Sequence, residues 1–111
     1  MTKEDVLAKV REIRPNEYTD EWALGQLEEL EQCVLRELMD GYLIPEAGEG
    51  LLVVSPYDGI YADWIVAQID LANGDYDRYN NQMQLFNTRW EELGRHISRT
   101  YRREKPSVYR L

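Results

Sequence analysis

The chain has 111 residues, 43% apolar and 11% aromatic, enough for one hydrophobic core and too few for a second domain. Thirteen Lys and Arg against 21 Asp and Glu leave a net charge of −8, which argues against a protein that works by coating itself in nucleic-acid phosphate. The single cysteine, Cys33, excludes an internal disulfide, and no apolar run reaches the roughly eighteen residues a membrane span needs, so a soluble protein of a reducing compartment is expected.

The charge is unevenly spread. Residues 1–50 hold 5 basic and 13 acidic side chains, residues 51–94 hold 2 and 7, and residues 95–111 hold 6 and 1. The positive excess is therefore confined to the carboxyl-terminal end.

Thr2 followed by Asp5 is the pattern of a capped helix start, and Val6, Val10 and Ile13 recur at helical spacing before Pro15 ends the segment. Thr19 caps a second helix with acids in its first turn, where the helix dipole favours them. Ala23, Leu27, Leu30, Val34 and Leu38 form its apolar stripe, and Gly41 can take the left-handed exit. A long loop follows, with Pro45, Gly48, Gly50 and the apolar run Leu51, Leu52, Val53 and Val54. A loop of this length is either a functional arm or a segment with extended structure of its own. The spacing Ser55-Pro56-Tyr57-Asp58 predicts the start of a third helix, with Ser55 as cap and Pro56 at its first position. Its apolar residues cover more than one face, as in a central helix touched from several sides.

Asn73-Gly74-Asp75 predicts a tight helical hairpin, with Asp75 capping a fourth helix that runs to about Tyr101. Tyr76, Tyr79, Met83, Phe86, Trp90, Leu93 and Ile97 alternate three and four apart, a heptad seam. That seam needs the third helix and something further, either the second helix or a neighbouring subunit. Pro106 marks a tail. The expected architecture is thus all-α, four helices over residues 1–104 with a long loop between the second and third, and an extended tail over 105–111.

Chemistry is sparse. His96 has no second His or Cys at ligand spacing, and Cys33 sits among Glu28, Glu29, Glu31 and Glu37, which would raise a thiol pKa. Asp63 and Asp70 lie seven apart on one helix face, the one arrangement that could mimic a catalytic pair, though pairing with Arg78 or Arg89 on the next helix accounts for them better. The amides Asn73, Asn80, Asn81 and Asn87 suit helix ends and interhelical contacts better than a ligand site. No phosphate loop, nucleophile elbow or metalloprotease motif is present. Eight Tyr, three Trp and one Phe favour an interaction protein over an enzyme, and no cofactor or metal is expected.

Pro56-Tyr57-Asp58, Tyr61, Ala67-Gln68-Ile69-Asp70, Asn73-Gly74-Asp75-Tyr76, Arg78-Tyr79-Asn80-Asn81, Phe86-Asn87 and Arg99 form a pattern that resembles small proteins of tailed-phage and prophage structural-gene clusters. Arg14-Pro15-Asn16, Tyr18 and the acidic second helix resemble the amino-terminal part of the same group. That group is similar to the head-tail adaptors of long-tailed phages, mostly helical subunits that form a ring, usually of twelve copies, beneath the portal. The chain departs from the pattern between Tyr42 and Gly50 and in its Arg-rich end.

The resemblance implies a virion structural protein of the neck, present in the host cytoplasm during assembly. Its expected partners are copies of itself, the portal and the next connector, a stopper or tail protein, with DNA passing through the channel without sequence-specific binding. Arg99, Arg102, Arg103, Lys105, Val108, Tyr109, Arg110 and Leu111 are the expected portal or subunit interface, and Leu51, Leu52, Val53 and Val54 a second one. The alternative is a small helical DNA-packaging protein of the terminase small-subunit kind. Against it stands the confinement of basic charge to the chain's end.

Overall fold

The computed structural model describes residues 1–43 and 50–103. Four α-helices follow in order: α1 (Lys3–Ile13), α2 (Asp20–Cys33), α3 (Ile60–Ala72) and α4 (Tyr76–Thr100). The described chain is 70% helical and holds no strand, so the fold is all-α.

Local signals set most of the helix ends. The Thr2 hydroxyl accepts from the Asp5 N–H at 3.2 Å while the Asp5 carboxylate accepts from the Thr2 N–H at 2.9 Å, a reciprocal box that satisfies two donors at the start of α1. Those bonds hold the Asp5 carboxyl below its ordinary pKa. Thr19 caps α2 by accepting from the Trp22 N–H at 3.1 Å, and Asp75 caps α4 by accepting from the Arg78 N–H at 3.3 Å. Gly74, with φ of +75°, makes the left-handed turn that lets α4 fold back along α3.

Helix α3 is the centre of the molecule. Nine of its 13 residues are buried, because α1, α2 and α4 all pack on it, α4 most extensively. By contrast α1 buries Val6 and Val10 alone, and α4 buries Phe86, Leu93 and Ile97. The expected heptad seam thus holds along the carboxyl-terminal two-thirds of α4. It fails at Tyr76, 63% exposed, since the helix there has only just left the hairpin turn.

Two expected boundaries shift. The second helix does not stay α-helical to Gly41: beyond Cys33 it widens into a π-turn over Val34–Leu38, with the Met39 N–H donating to the Val34 carbonyl at 2.9 Å. Five-residue periodicity brings Met39 onto the core face with Val34, and both are buried. The third helix begins at Ile60, not at Ser55. Residues 55–59 form turns, in which the Tyr57 N–H donates to the Val54 carbonyl at 2.9 Å, and Asp58 is held by the amino terminus of Met1 at 3.5 Å. Gly59 takes the cap position with no side-chain cap. A Cβ at Gly59 would sit 2.9 Å from Arg89 Nη1, so the cap is also where the Arg89 side chain crosses α3.

The delayed start has a cause in the preceding loop. Leu51 and Val53 are 6% and 3% exposed and belong to the core. To insert them the backbone must bury its own N–H groups, and these need acceptors. The Leu52 N–H donates to Glu31 Oε2 at 3.0 Å, the Val53 N–H donates to the Tyr61 hydroxyl at 2.8 Å, and Tyr61 donates in turn to Glu31 Oε1 at 2.5 Å. Burial and the neighbouring carboxylate push the Tyr61 hydroxyl far above its ordinary pKa, so it remains a donor at any working pH.

The substitution Tyr61→Phe removes the hydroxyl that both donates to Glu31 and receives Val53. It is expected to cost about 1–3 kcal/mol in urea denaturation and to speed amide hydrogen exchange at Leu52 and Val53. Unchanged exchange there would show that the clasp does not hold the segment.

Candidate functional site

The groups most able to do chemistry are the carboxylates of α3, and each has an arginine of its own. Asp70, 1% exposed, faces Arg14 from the link after α1, with Nη2 donating to Oδ2 at 3.1 Å. Arg14 Nε lies 2.9 Å from Oδ1, yet makes no hydrogen bond, so one hydrogen bond and the charge attraction hold the pair. Asp63, 5% exposed, accepts from Arg89 Nη1 of α4 at 2.5 Å. Pairing with Arg89 matches the sequence reading. Arg78 instead bonds Asp75 within the first turn of α4 at 3.3 Å, and Arg14 takes Asp70. The two carboxylates are therefore held by separate elements, Asp70 by the link after α1 and Asp63 by α4, and do not act on a shared atom.

Burial raises the Asp63 carboxyl above its ordinary pKa, and the Arg89 charge and hydrogen bond pull in the opposite direction. The net shift is upward.

Asn73, His96 and Cys33 are also engaged, whereas Asn80, Asn81 and Asn87 are exposed on α4 and make no interhelical contact of the expected kind among the described hydrogen bonds. Tyr18 donates to Asn73 Oδ1 at 2.7 Å and stacks on Trp22 at 4.5 Å between ring centroids, so Asn73 joins the α1–α2 link to the hairpin turn. His96 stacks on Tyr57 at 4.4 Å. The half-buried Cys33 sulfur accepts from Arg36 at 3.4 Å. Among the described residues no cluster of His, Cys, Asp or Glu could hold a metal ion, and no helix is long and apolar enough to cross a membrane. A cleft bordered by Met1, Lys9, Tyr57, Asp58, Arg89 and Glu92 is mixed in charge, and the amino terminus, Asp58 and Arg89 within it already have partners. It lacks the apolar lining with a few convergent polar groups that small-molecule sites share.

What is left free lies on the outside. Arg99, Arg102 and Arg103 are exposed, and the Arg103 guanidinium lies over the Tyr42 ring at 4.9 Å. Lys105, Val108, Tyr109, Arg110 and Leu111 lie outside the described residues, as does the loop from 44 to 49. The apolar run divides: Leu51 and Val53 are core residues and are withdrawn from the expected loop interface, Leu52 is half-buried, and Val54 is 51% exposed. The run thus sends Leu51 and Val53 into the core, packs Leu52 partly against it and leaves only Val54 outside.

Sequence reasoning missed the junction between the two expected surfaces. The Leu43 N–H donates to the Arg102 carbonyl at 2.7 Å and Tyr42 forms an antiparallel bridge with Arg103, so the segment after the second helix is paired with the segment after α4. Leu43 is 48% exposed there, next to the arginines. No local signal could reveal a pairing across sixty residues of chain.

Two variants test the buried pairs. Arg14→Ala leaves Asp70 buried without its cation and should cost about 3 kcal/mol by chemical denaturation, whereas a loss near zero would place Asp70 in contact with water. Since the folded pKa of Asp63 lies above its unfolded value of 3.8, its contribution to stability is fully present below 3.8 and lost as pH rises through the folded pKa. Wild-type stability relative to Asp63→Asn should accordingly fall as pH rises across that window and level off above it. A difference that grew with pH would mean that Arg89 outweighs burial.

No family model, no curated protein and no solved structure matches this chain, so its site is read from geometry and sequence pattern.

Proposed function

We propose that this protein is a virion structural subunit, a head-tail adaptor that forms a ring beneath the portal of a long-tailed phage or prophage and continues the DNA channel. The observation that carries the reading is where the resembling residues lie. Arg14 bonds Asp70 and Tyr18 bonds Asn73, across 56 and 55 residues of sequence, so the amino-terminal and carboxyl-terminal parts of the pattern meet in one polar network. A pattern whose distant parts bond one another is a requirement of a shared frame.

The interior supports a structural part as well. Glu31, Asp63 and Asp70 spend their charge holding neighbouring elements to α3. An acidic body, with 7 basic and 20 acidic side chains over residues 1–94, repels DNA and lets it slide through a channel.

One observation favours a DNA-packaging protein instead: Arg95, Arg99, Arg102 and Arg103 are exposed, and among the described residues none has a carboxylate within ion-pair distance. Such a surface can also meet phosphate.

The test is negative-stain imaging of the purified protein mixed with portal rings encoded in the same gene cluster. A ring of added density at the base of the portal is the expected result, and removal of residues 105–111 should abolish it at moderate salt with the helical circular dichroism signal intact. Absence of portal binding together with tight, salt-sensitive duplex binding would replace the adaptor with the packaging protein.

A further inference from the structure

Two charged surfaces of this chain are unneutralised and opposite in sign. Residues 17–40 hold eight acids and one base, Arg36; Glu31 is buried and Asp20 pairs with Arg11, which leaves six exposed acids, whereas residues 95–103 hold four arginines and no acid. On α2 the exposed face runs through Glu21, Gly25, Glu28 and Glu29, all on one side of the helix by their spacing of four, three and one. On α4 it runs through Arg95 and Arg99 and continues to Arg102 past the helix end. Among the described residues, no ion pair uses any of these side chains. Only Arg99 lies in the last turn of α4, so the helix dipole accounts for one of the arginines.

The acidic face carries a second, independent feature. Gly25 sits in the middle of α2, exposed and without a left-handed backbone, and a Cβ placed there would meet nothing within 4 Å. Glycine inside a helix is less stable than alanine, and nothing among the described residues uses the missing side chain. A neighbour packed closely on α2 would use it.

We propose that the Glu21–Gly25–Glu28–Glu29 face of α2 receives the arginine end of α4 from a second copy of this chain. The occupant follows from charge: the complement to each surface is the other surface, present on every copy at equal number. The two sit on helices that both pack on α3, and among the described residues of one chain they do not pair. A contact between two different surfaces is head-to-tail, and it propagates into a ring or a filament. Exposed ion pairs are individually weak, so close approach at Gly25 supplies the packing that fixes the register. The proposal rests on the self-association in the adaptor reading and not on portal binding.

The experiment is sedimentation of the full chain at low and high salt, for the wild type and for two charge reversals, R95E/R99E/R102E and E21K/E28K/E29K. The wild type is expected to sediment well above its monomer mass of 13.1 kDa at low salt and to associate about tenfold or more weakly at high salt. Each reversal alone should be monomeric with a wild-type helical signal, since its two surfaces then share one sign. An equimolar mixture of the two should assemble again, because every contact regains opposite charges. Gly25→Ala should raise the thermal midpoint of the monomer while weakening assembly. A wild type that stays monomeric at low salt, reversals that assemble unaided, or a Gly25→Ala variant that assembles undiminished would each overturn the proposal. Assembly by this route without portal binding would remove the adaptor reading and leave the contact standing. Portal binding by monomers that show no salt-sensitive assembly would do the reverse.

Discussion

The structure depends on one constraint: a central helix buried from three sides cannot leave its polar groups unpaired. Helix α3 carries Tyr61, Asp63 and Asp70 into the interior, and each is answered from a different part of the chain, by Glu31 of α2, Arg89 of α4 and Arg14 after α1. An apolar helix in this position would accept its neighbours at many rotations. Three polar groups that each demand one partner select one arrangement, since a misplaced helix would leave a buried charge or hydroxyl without its bond. Hydrophobic burial supplies the driving force, and polar satisfaction supplies the register.

The same constraint explains the loop that precedes α3. Leu51 and Val53 enter the core only because Glu31 and Tyr61 accept or relay the N–H groups of Leu52 and Val53. Glu31 therefore serves two elements at once, and the start of α3 is displaced to Ile60 to make room for the turn that feeds them. A carboxylate in this position is a structural acceptor, which is why an acidic residue can be buried in the middle of an otherwise solvated acidic helix.

With the interior carboxylates committed, the surface is where this protein can meet others. The acidic face of α2 and the arginine end of α4 are exposed and unpaired within the described chain, and the root of the 44–49 loop is joined to the root of the tail through Tyr42 and Arg103. On the proposed reading those features are the ones through which a subunit would assemble.

Much of the local structure was legible in the residues themselves. Thr2, Thr19, Asp75 and Gly74 mark helix ends by short-range hydrogen bonding and backbone freedom, and the three-four spacing of Phe86, Trp90, Leu93 and Ile97 marks the buried side of α4, because such signals act within a turn or two of chain. That a carboxylate of α3 pairs with an arginine of α4 was legible for a related reason, as a tight hairpin brings two helices into register, but which carboxylate takes which arginine was not. The inward turn of Leu51 and Val53, the π-turn that carries Met39 to the core, the Arg14–Asp70 pair and the meeting of Tyr42 with Arg103 were decided by the tertiary structure. Each depends on a partner tens of residues away, and a residue's burial or bond is settled by what packs against it, which spacing along the chain does not encode.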